Sequence, residues 1–213
     1  MSSNETHAAC TRQIIGLDES GTGAIAGCFT VAAVMIDAGA VPHVRDSKKV
    51  GEGERLFLAK KIRRHARFIG LNVVSVEDIN KHNLRNCWRR SVVSLATLAH
   101  DLFPDADVVM DGMEDEHVLR DAPFLRFVIK ADATIYQSAA ASIIAKSKRD
   151  ILMREAQSLY PGYGLSKNMG YGTDGHVKAI LSLGRCPVHR TLFVDSILKR
   201  RSKGFQPELP LWI

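Results

Sequence analysis

Two short apolar runs near the start of the chain, separated by a glycine-rich turn, most strongly limit what the sequence can fold into. The runs are RQIIGLD and CFTVAAVMI, and both contain β-branched residues. Short apolar runs bounded by turn residues are typical of strands. The pattern therefore predicts two neighbouring strands, and the rest of the chain has to pack on the sheet that they begin.

The remaining chain alternates strand-like runs with helical periodicity. Residues 53–66 place apolar residues at helical spacing, residues 83–103 form a longer helical stretch that Pro104 ends, and Tyr136–Leu159 form a second long helix that PGYG closes. Further strands are predicted at FIGLNVVSV, DADVVMD and PFLRFVIK, and a last helix at DGHVKAILSLG. This mixture predicts an α/β or α+β fold in which helices are layered on a sheet.

Length and composition exclude several classes of protein. The 213 residues fit one domain with a small appendage, and a net charge of +6 favours phosphate-rich partners without identifying them. Neither a zinc site nor a disulfide framework is indicated by the widely spaced cysteines, Cys10, Cys28, Cys87 and Cys186. The N-terminus lacks an apolar signal core, and no apolar run approaches the roughly 18 residues that span a bilayer. We therefore expect a cytoplasmic protein with reduced thiols and no membrane contact.

Four carboxylates occupy positions where a plain structural role and a metal-binding role both fit. Asp18 and Glu19 follow the run IIGL, and Asp111 ends the apolar run VVM. Asp150 lies almost two helical turns after Ile143, so its side chain should point towards the sheet. Taken singly, each acid could end an element in water or pair with a lysine. Together they suit phosphodiester hydrolysis by two divalent ions about 4 Å apart, with Mg²⁺ or Mn²⁺ matching oxygen ligands.

A series of motifs resembles the type 2 ribonucleases H, the ribonuclease HII family. The motifs are, in order, DESGTGAIAG, DSKK, VVMDG, AAASIIAKSKRD, PGYGLSKNMGYGTDGH and PVHRTLF. The match extends from about residue 14 to about residue 193. Each motif alone is a weak signal, whereas their joint occurrence at family-like spacing is specific.

The resemblance implies a ribonuclease H-like fold, with a mixed central sheet flanked by helices and a small C-terminal helical region. We expect a catalytic core over residues 1–160, a helical region of the same domain over 161–204 and a tail over 205–213. The implied activity is cleavage of the RNA strand of RNA/DNA hybrids, or of ribonucleotides embedded in duplex DNA, which leaves 3′-hydroxyl and 5′-phosphate ends. The implied catalytic ligands for two Mg²⁺ or Mn²⁺ ions are Asp18, Glu19, Asp111 and Asp150.

The glycine-rich turn after the first two acids is the implied phosphate-binding loop. Neighbouring strand residues point to opposite faces, so Asp18 and Glu19 can share a site only if the chain bends there, which Gly21 and Gly23 would permit. Small residues also let backbone N–H groups approach a sugar-phosphate backbone. Thr22 stands where the family usually has Arg or Lys, so this chain lacks one positive phosphate contact.

Lys48, Lys146 and Tyr171 complete the implied substrate site. In the family, the tyrosine stacks on a sugar beside the ribonucleotide and helps to sense the 2′-hydroxyl, which distinguishes RNA from DNA. A turn tyrosine packed on the last helix is the alternative. Ala131 stands where the family usually has glycine, and we expect only a local backbone adjustment. Further basic candidates, each of which could equally be solvated surface, are Lys49, Lys148, Arg149, Lys167, His176, Arg190, Arg85, Arg89 and Arg90.

The C-terminal sequence QPELPLWI resembles a peptide that docks on DNA sliding clamps. An extended terminal peptide with spaced apolar anchors suits a groove. The alternative is that Trp212 packs the tail against the body of the protein. We expect a monomer whose candidate clamp-binding residues are Gln206, Leu209, Leu211, Trp212 and Ile213.

Three other functions are open on the sequence alone. A catalytically degenerate nucleic-acid-binding homologue would explain Thr22 and Ala131, but it would have no need for clustered carboxylates that repel phosphate. A DNA nuclease of related fold would use the same metals without sensing a 2′-hydroxyl, which Tyr171 argues against. A small-molecule phosphohydrolase would be expected to carry a phosphate-enclosing motif, and the sequence has none.

Overall fold

The two strands predicted first lie at the centre of a five-stranded sheet. The structure, a computed structural model, describes residues 12–45 and 47–202. The strands are β1 (Ile14–Ser20), β2 (Phe29–Met35), β3 (Phe68–Val74), β4 (Asp107–Asp111) and β5 (Leu125–Val128). Their order across the sheet is β3-β2-β1-β4-β5. Because β2 is antiparallel to β1 and β3, whereas β4 is parallel to β1 and β5, the predicted mixed sheet is confirmed.

Helices cover both faces of the sheet and continue beyond it. They are α1 (Glu52–His65), α2 (Val76–His82), α3 (Leu84–Leu102), α4 (Glu116–Asp121), α5 (Ala131–Thr134), α6 (Tyr136–Leu159), α7 (Leu165–Asn168), α8 (Asp174–Leu183) and α9 (Thr191–Ser202). The four predicted helices are confirmed as α1, α3, α6 and α8. The sequence did not reveal α2, α4, α5 and α7, because so few residues show no helical period. It missed α9 because Leu192, Phe193 and Val194 follow one another instead of recurring at helical spacing.

The central strands are buried on both faces because each face carries its own apolar layer. Ile15 and Leu17 of β1 face α3 and pack in a cluster with Val92 and Leu95. Alternate residues of the neighbouring strand β2, such as Ala32, join the cluster formed with α1 and α6 on the other face. Side chains alternate between the faces of a strand, so a strand buried on both sides has to be apolar almost throughout.

Strand β1 and helix α6 approach each other so closely at Gly16 that no side chain fits between them. A Cβ atom placed on Gly16 would lie 2.2 Å from the backbone nitrogen of Ser138 and 2.3 Å from the carbonyl carbon of Gln137. Both neighbouring atoms belong to the helix backbone and cannot rotate away. Glycine is therefore required at this position by packing, and the contact fixes α6 on the strand that carries Asp18.

The helices after α6 form a third apolar cluster beside the sheet. Ile25 from the turn between β1 and β2 packs there with Met153 of α6, Leu165 of α7, Val177 of α8 and Val194 of α9. The glycine-rich turn is consequently anchored to the C-terminal helices rather than standing free.

Two features bear on where such a chain can work. In the part of the chain that the structure describes, no helix is both long and apolar enough to cross a membrane. The cysteines of that part, Cys28, Cys87 and Cys186, are not paired in disulfides.

Replacing Gly16 by alanine should destabilise the protein by about 3 kcal/mol, because the new methyl group has to push α6 away from β1. The midpoint of urea denaturation measures the effect. Gly53→Ala is the matched control, since its Cβ meets open space in α1 and alanine favours a helix over glycine by about 1 kcal/mol. Equal midpoints for the wild type and Gly16→Ala would contradict the packing.

Candidate metal centre

Three carboxylates meet at the edge of the sheet where β1 and β4 end. Asp18 lies near the end of β1, Asp111 is the last residue of β4, and Asp132 lies in α5, just after β5. Since these strands are parallel, their carboxyl ends reach the same edge of the sheet. One carboxylate oxygen from each residue lies within 4.8 Å of the other two. Asp18 and Asp111, both predicted from the sequence, are thus brought together.

Asp132 was not predicted, although the sequence contained a signal for it. The motif KADAT follows a strand-like run directly, as Asp111 follows its own run. Two parallel neighbouring strands place such residues at one edge, which is where ligands bind in sheets of this kind. Ala131 donates its backbone N–H to Asp111 at 2.6 Å, which ties the two acidic segments together.

Alanine at position 131 fits the backbone that the structure gives it. Ala131 begins the short helix α5, and the left-handed conformation belongs to its predecessor, Lys130, with φ 59° and ψ 39°. Glycine is therefore not needed at position 131 for conformational reasons. The left-handed conformation falls on Lys130, and the local adjustment expected for Ala131 stays a prediction.

Asp18 is held in a nearly closed environment on the α6 face of the sheet, with 6% of its surface exposed. Burial raises the pKa of Asp18 well above its ordinary value, and the charges of Glu19 and Asp111 raise it further. A hydrogen bond with Ser142 and another from the Glu19 backbone N–H, at 2.7 Å, oppose the rise. The carboxylate is thus oriented by the protein but short of positive charge.

Glu19 approaches the same centre from the other face of the sheet. The predicted bend does not occur, because β1 stays paired with β2 as far as Ser20 opposite Thr30. The Trp88 indole of α3 donates to Glu19 Oε2 at 3.4 Å. Burial raises the pKa of Glu19 to about 7; the hydrogen bond from Trp88 opposes this, and the charge of Asp111 adds to it. Glu19 is not part of the cluster formed by Asp18, Asp111 and Asp132, but the charge of Asp111 adds to the rise in the pKa of both Asp18 and Glu19.

Asp150 has a different environment from the one predicted. Its carboxylate is buried, as the helical spacing indicated, but it pairs with Arg55 of α1 at 3.1 Å and with Lys146 one helical turn earlier. Two cations already neutralise it, so it has no need of a metal ion. We therefore propose Asp132 in place of Asp150 as the remaining metal ligand. Because Lys146 is paired with Asp150, its charge is not free to bind a phosphate.

The Asp150 pair instead positions a loop beside the centre. Arg55 donates to the backbone carbonyls of Ser47 and Val50, each at 2.7 Å, while its other nitrogen holds Asp150. The loop between those carbonyls carries Lys48, whose charge lowers the pKa of Glu19. Asp150 thus supports the site through Arg55 and the loop.

Two buried arginines hold the glycine-rich turn, residues 21–28, by hydrogen bonds to its backbone carbonyls. Arg149 of α6 donates to the carbonyls of Ala26 and Cys28, and Arg190 donates to those of Thr22, Ala24 and Gly27. Gly21, with φ 94°, lies so close to Arg149 that a Cβ would fall 1.9 Å from its Nε atom. The turn therefore keeps its shape through buried guanidinium groups, and its backbone geometry does not depend on the Thr22 side chain.

Tyr171 lies at the surface beside this turn. Its ring is 3.9 Å from where a Cβ of Gly23 would lie, and the Arg149 guanidinium lies 5.5 Å from the ring centre. The Tyr171 carbonyl is 2.9 Å from Nδ1 of the buried His176, whose Nε2 is 3.2 Å from Nε2 of His189. With 38% of its surface exposed, the ring is available to a ligand at the turn.

The other basic candidates separate into buried and exposed groups. His176, Arg149 and Arg190 are buried and bonded to backbone carbonyls, so they shape the site instead of touching a phosphate. Lys48 and Lys167 are exposed, and Lys148 is partly exposed. Asp46, the side chain of Lys49 and the predicted clamp-binding residues 206–213 lie outside the described residues.

The chemistry of the donor set fits a hard divalent cation. Within residues 12–45 and 47–202, the carboxylates of Asp18, Asp111 and Asp132 are the one group of three or more side chains that could hold a metal ion, and all its donors are oxygen atoms. Oxygen ligands suit Mg²⁺ or Mn²⁺ better than zinc. Burial and, secondly, repulsion among the acids raise the pKa of Asp18 and Glu19, and such cations would stabilise the charged carboxylates against both.

Comparison with known proteins finds one family over most of the chain. A family model described as Ribonuclease HII matches residues 15–196. A ribonuclease HII from Caldanaerobacter subterraneus subsp. tengcongensis is 35% identical over 188 residues, which cover 87% of this chain and 76% of the relative. All three clustered carboxylates lie inside the region that the family model matches.

Solved structures share the fold at lower identity. The structure of a PCNA:RNase HII complex from Archaeoglobus fulgidus aligns with TM-score 0.61 and 21% identity over 94% of this chain and 95% of that one. Bst-RNase HIII in complex with Mn²⁺ aligns with TM-score 0.59 and 21% identity over 94% of this chain and 78% of that one. The fold is therefore ribonuclease H-like, as the resemblance implied.

Asp132→Asn and Asp150→Asn should have different effects on metal binding and on stability. Asp132→Asn should remove the rise in melting temperature that Mn²⁺ gives the wild type, because a ligand is lost. Asp150→Asn should keep that rise but lower stability by about 3 kcal/mol, because Arg55 loses its buried partner. Thermal denaturation with and without Mn²⁺ measures both effects. The reverse pattern would restore Asp150 as the ligand.

Removing the Glu19 charge should stabilise the metal-free protein at high pH only. Between pH 4.5 and about 7 the folded state binds more protons at Glu19 than the unfolded state does, so stability falls as the pH rises through this window. Glu19→Gln should therefore raise the melting temperature at pH 8 without metal and change it much less at pH 4.5. If Glu19→Gln does not melt at a higher temperature than the wild type at pH 8, Glu19 does not carry a destabilising buried charge.

Proposed function

The chain belongs to the ribonuclease HII family of metal-dependent endoribonucleases, and we propose that it cuts the RNA strand of RNA/DNA hybrids and ribonucleotides embedded in duplex DNA. The products would carry 3′-hydroxyl and 5′-phosphate ends. The observation that carries this proposal is the meeting of Asp18, Asp111 and Asp132 at the sheet edge. Clustered acids repel a phosphodiester, so they serve a nuclease only when they hold cations.

Some residues of the centre would hold cations, and others would fix the positions of the carboxylates. Asp18, Asp111 and Asp132 would hold the ions, and Glu19 would join them from the α3 face of the sheet. When bound, two divalent ions supply an activated water and stabilise the leaving oxygen of an in-line displacement. The protein needs no nucleophile of its own. Trp88 and Ser142 hold their carboxylates in place before substrate arrives.

Substrate contacts would come from the turn and its neighbours. The backbone N–H groups of residues 21–23 would meet the phosphates, with Lys48 adding positive charge from the neighbouring loop. Tyr171 would stack on a sugar beside the turn and help to distinguish RNA from DNA. Its exposure and its position next to Gly23 support this role.

Cleavage of end-labelled duplexes tests the proposal. Duplexes with one ribonucleotide, a run of ribonucleotides or none are incubated with Mg²⁺ or Mn²⁺, beside an Asp18→Asn control. We expect cutting only where RNA is present, and none by the control. No cutting with either metal would favour a binding-only homologue, and equal cutting of the all-DNA duplex would favour a DNA nuclease.

Supplying the missing positive charge at the turn should improve recognition of a single ribonucleotide. Thr22→Arg should lower KM on that substrate by about tenfold, as a charge-assisted hydrogen bond to phosphate would. Thr22→Gln is the matched control, since it adds length without charge. Steady-state kinetics measure the change. A similar KM for both variants would show that the turn binds through its backbone alone.

We further propose that the C-terminal peptide docks on a DNA sliding clamp. The support is the sequence QPELPLWI and the complex with PCNA that a protein of the same fold forms. Deleting residues 206–213 should abolish co-migration with a clamp in gel filtration while leaving cleavage unchanged. Unchanged co-migration would refute this proposal.

The intact chain should elute as a monomer when no clamp is present, and we place it in the cytoplasm, where free thiols stay reduced.

A further inference from the structure

An open basic cleft lies between α3 and α4. Its volume is about 560 Å³, and its walls include Asn86, Arg89 and Arg90 from α3 and His117 and Arg120 from α4. Pockets for drug-like molecules are mostly apolar. This one is lined by guanidinium, imidazole and amide groups and by one carboxylate, that of Asp121, so its excess of positive charge suits an anionic ligand.

The arginines around the cleft outnumber the acids that face them. Arg85 and Arg89 share one carboxylate, the buried Asp115. Burial opposes ionisation of Asp115, but hydrogen bonds from Arg89, the Val118 amide and Arg85 hold its pKa below the ordinary value. The two arginines therefore carry one surplus positive charge between them.

The remaining two arginines add to this surplus. Arg120 pairs with Asp121 at the surface, where both side chains are largely exposed and the pair is weak. Arg90 is exposed, and it donates to the Asn86 carbonyl and the Cys87 sulfur rather than to a carboxylate. Its guanidinium therefore keeps a full charge for a ligand.

The cleft is joined to the metal centre through α3. Trp88 donates to Glu19, and its neighbour Arg89 is bonded to Asp115, which caps the start of α4 four residues after Asp111. Arg90 follows two residues after Trp88, and helix residues advance by about 1.5 Å each. Phosphates along one nucleic-acid strand follow each other at about 3.4 Å. A nucleic-acid strand bound at the carboxylates could therefore reach Arg90 within about a few nucleotides.

We propose that this cleft binds the phosphate backbone of the substrate duplex a few nucleotides from the cut. This inference rests on the proposed function, since the ligand is the same duplex. Arginine forks match phosphate oxygens in pairs, and such contacts fix position without reading bases. An acidic protein segment is less suited, because the helix that lines the cleft also carries Trp88, which is bonded to Glu19 at the metal centre.

Binding of a labelled RNA-containing duplex, measured by fluorescence anisotropy, tests the inference. The full chain carries Asp18→Asn so that the duplex stays intact. Adding Arg90→Ala should weaken binding about tenfold and lower the slope of log K against log salt by about 1. Arg64→Ala is the matched control, an exposed arginine on α1 that loses the same charge. A duplex trimmed to three base pairs on each side of the ribonucleotide should bind both variants alike.

Two results would overturn the inference: equal binding by the Arg90 and Arg64 variants, or a loss that persists in full on the trimmed duplex. Because binding is measured without cleavage, a wild type that binds through Arg90 but does not cut would refute the proposed function and retain the cleft.

Discussion

The contact between β1 and α6 at Gly16 determines the geometry of the whole site. The absence of a side chain lets the helix backbone lie directly on the strand, two residues before Asp18. From that contact α6 delivers Ser142 to Asp18, Arg149 to the glycine-rich turn and Asp150 to Arg55. A shift of this one helix would therefore disturb the metal ligands, the phosphate-binding turn and the loop of Lys48 together.

The acids of the site are arranged in a way that is electrostatically unfavourable for the protein alone. Asp18 is buried and Glu19 is half-buried. Burial raises the pKa of both, the charge of Asp111 adds to the rise, and nearby donors compensate only in part. The fold supports this with buried cations that face away from the centre: Arg55 neutralises Asp150, and Arg149 and Arg190 bind backbone carbonyls. Positive charge thus fixes the loops, while the centre itself is left for divalent ions. Such a compromise between stability and activity is common at active sites.

Local patterns predicted the parts of the site that lie within single elements. The apolar runs before Asp18 and Asp111 identified both the strands and the acids at their ends, and helical spacing correctly placed Asp150 in the interior. The partner of Asp150 could not be predicted, since Arg55 lies 95 residues away in sequence and meets it only through the packing of α1 on α6. Asp132 was missed for the same reason: its role depends on β5 lying parallel to β4.

Anomalous diffraction from crystals of the full chain soaked in Mn²⁺ would test most directly whether this acidic edge is the metal centre. We expect manganese peaks within coordination distance of Asp18, Asp111 and Asp132, with Glu19 turned towards them and Asp150 still paired with Arg55. A peak on Asp150 in place of Arg55 and Lys146, or no peak between the three clustered carboxylates at saturating Mn²⁺, would contradict the assignment.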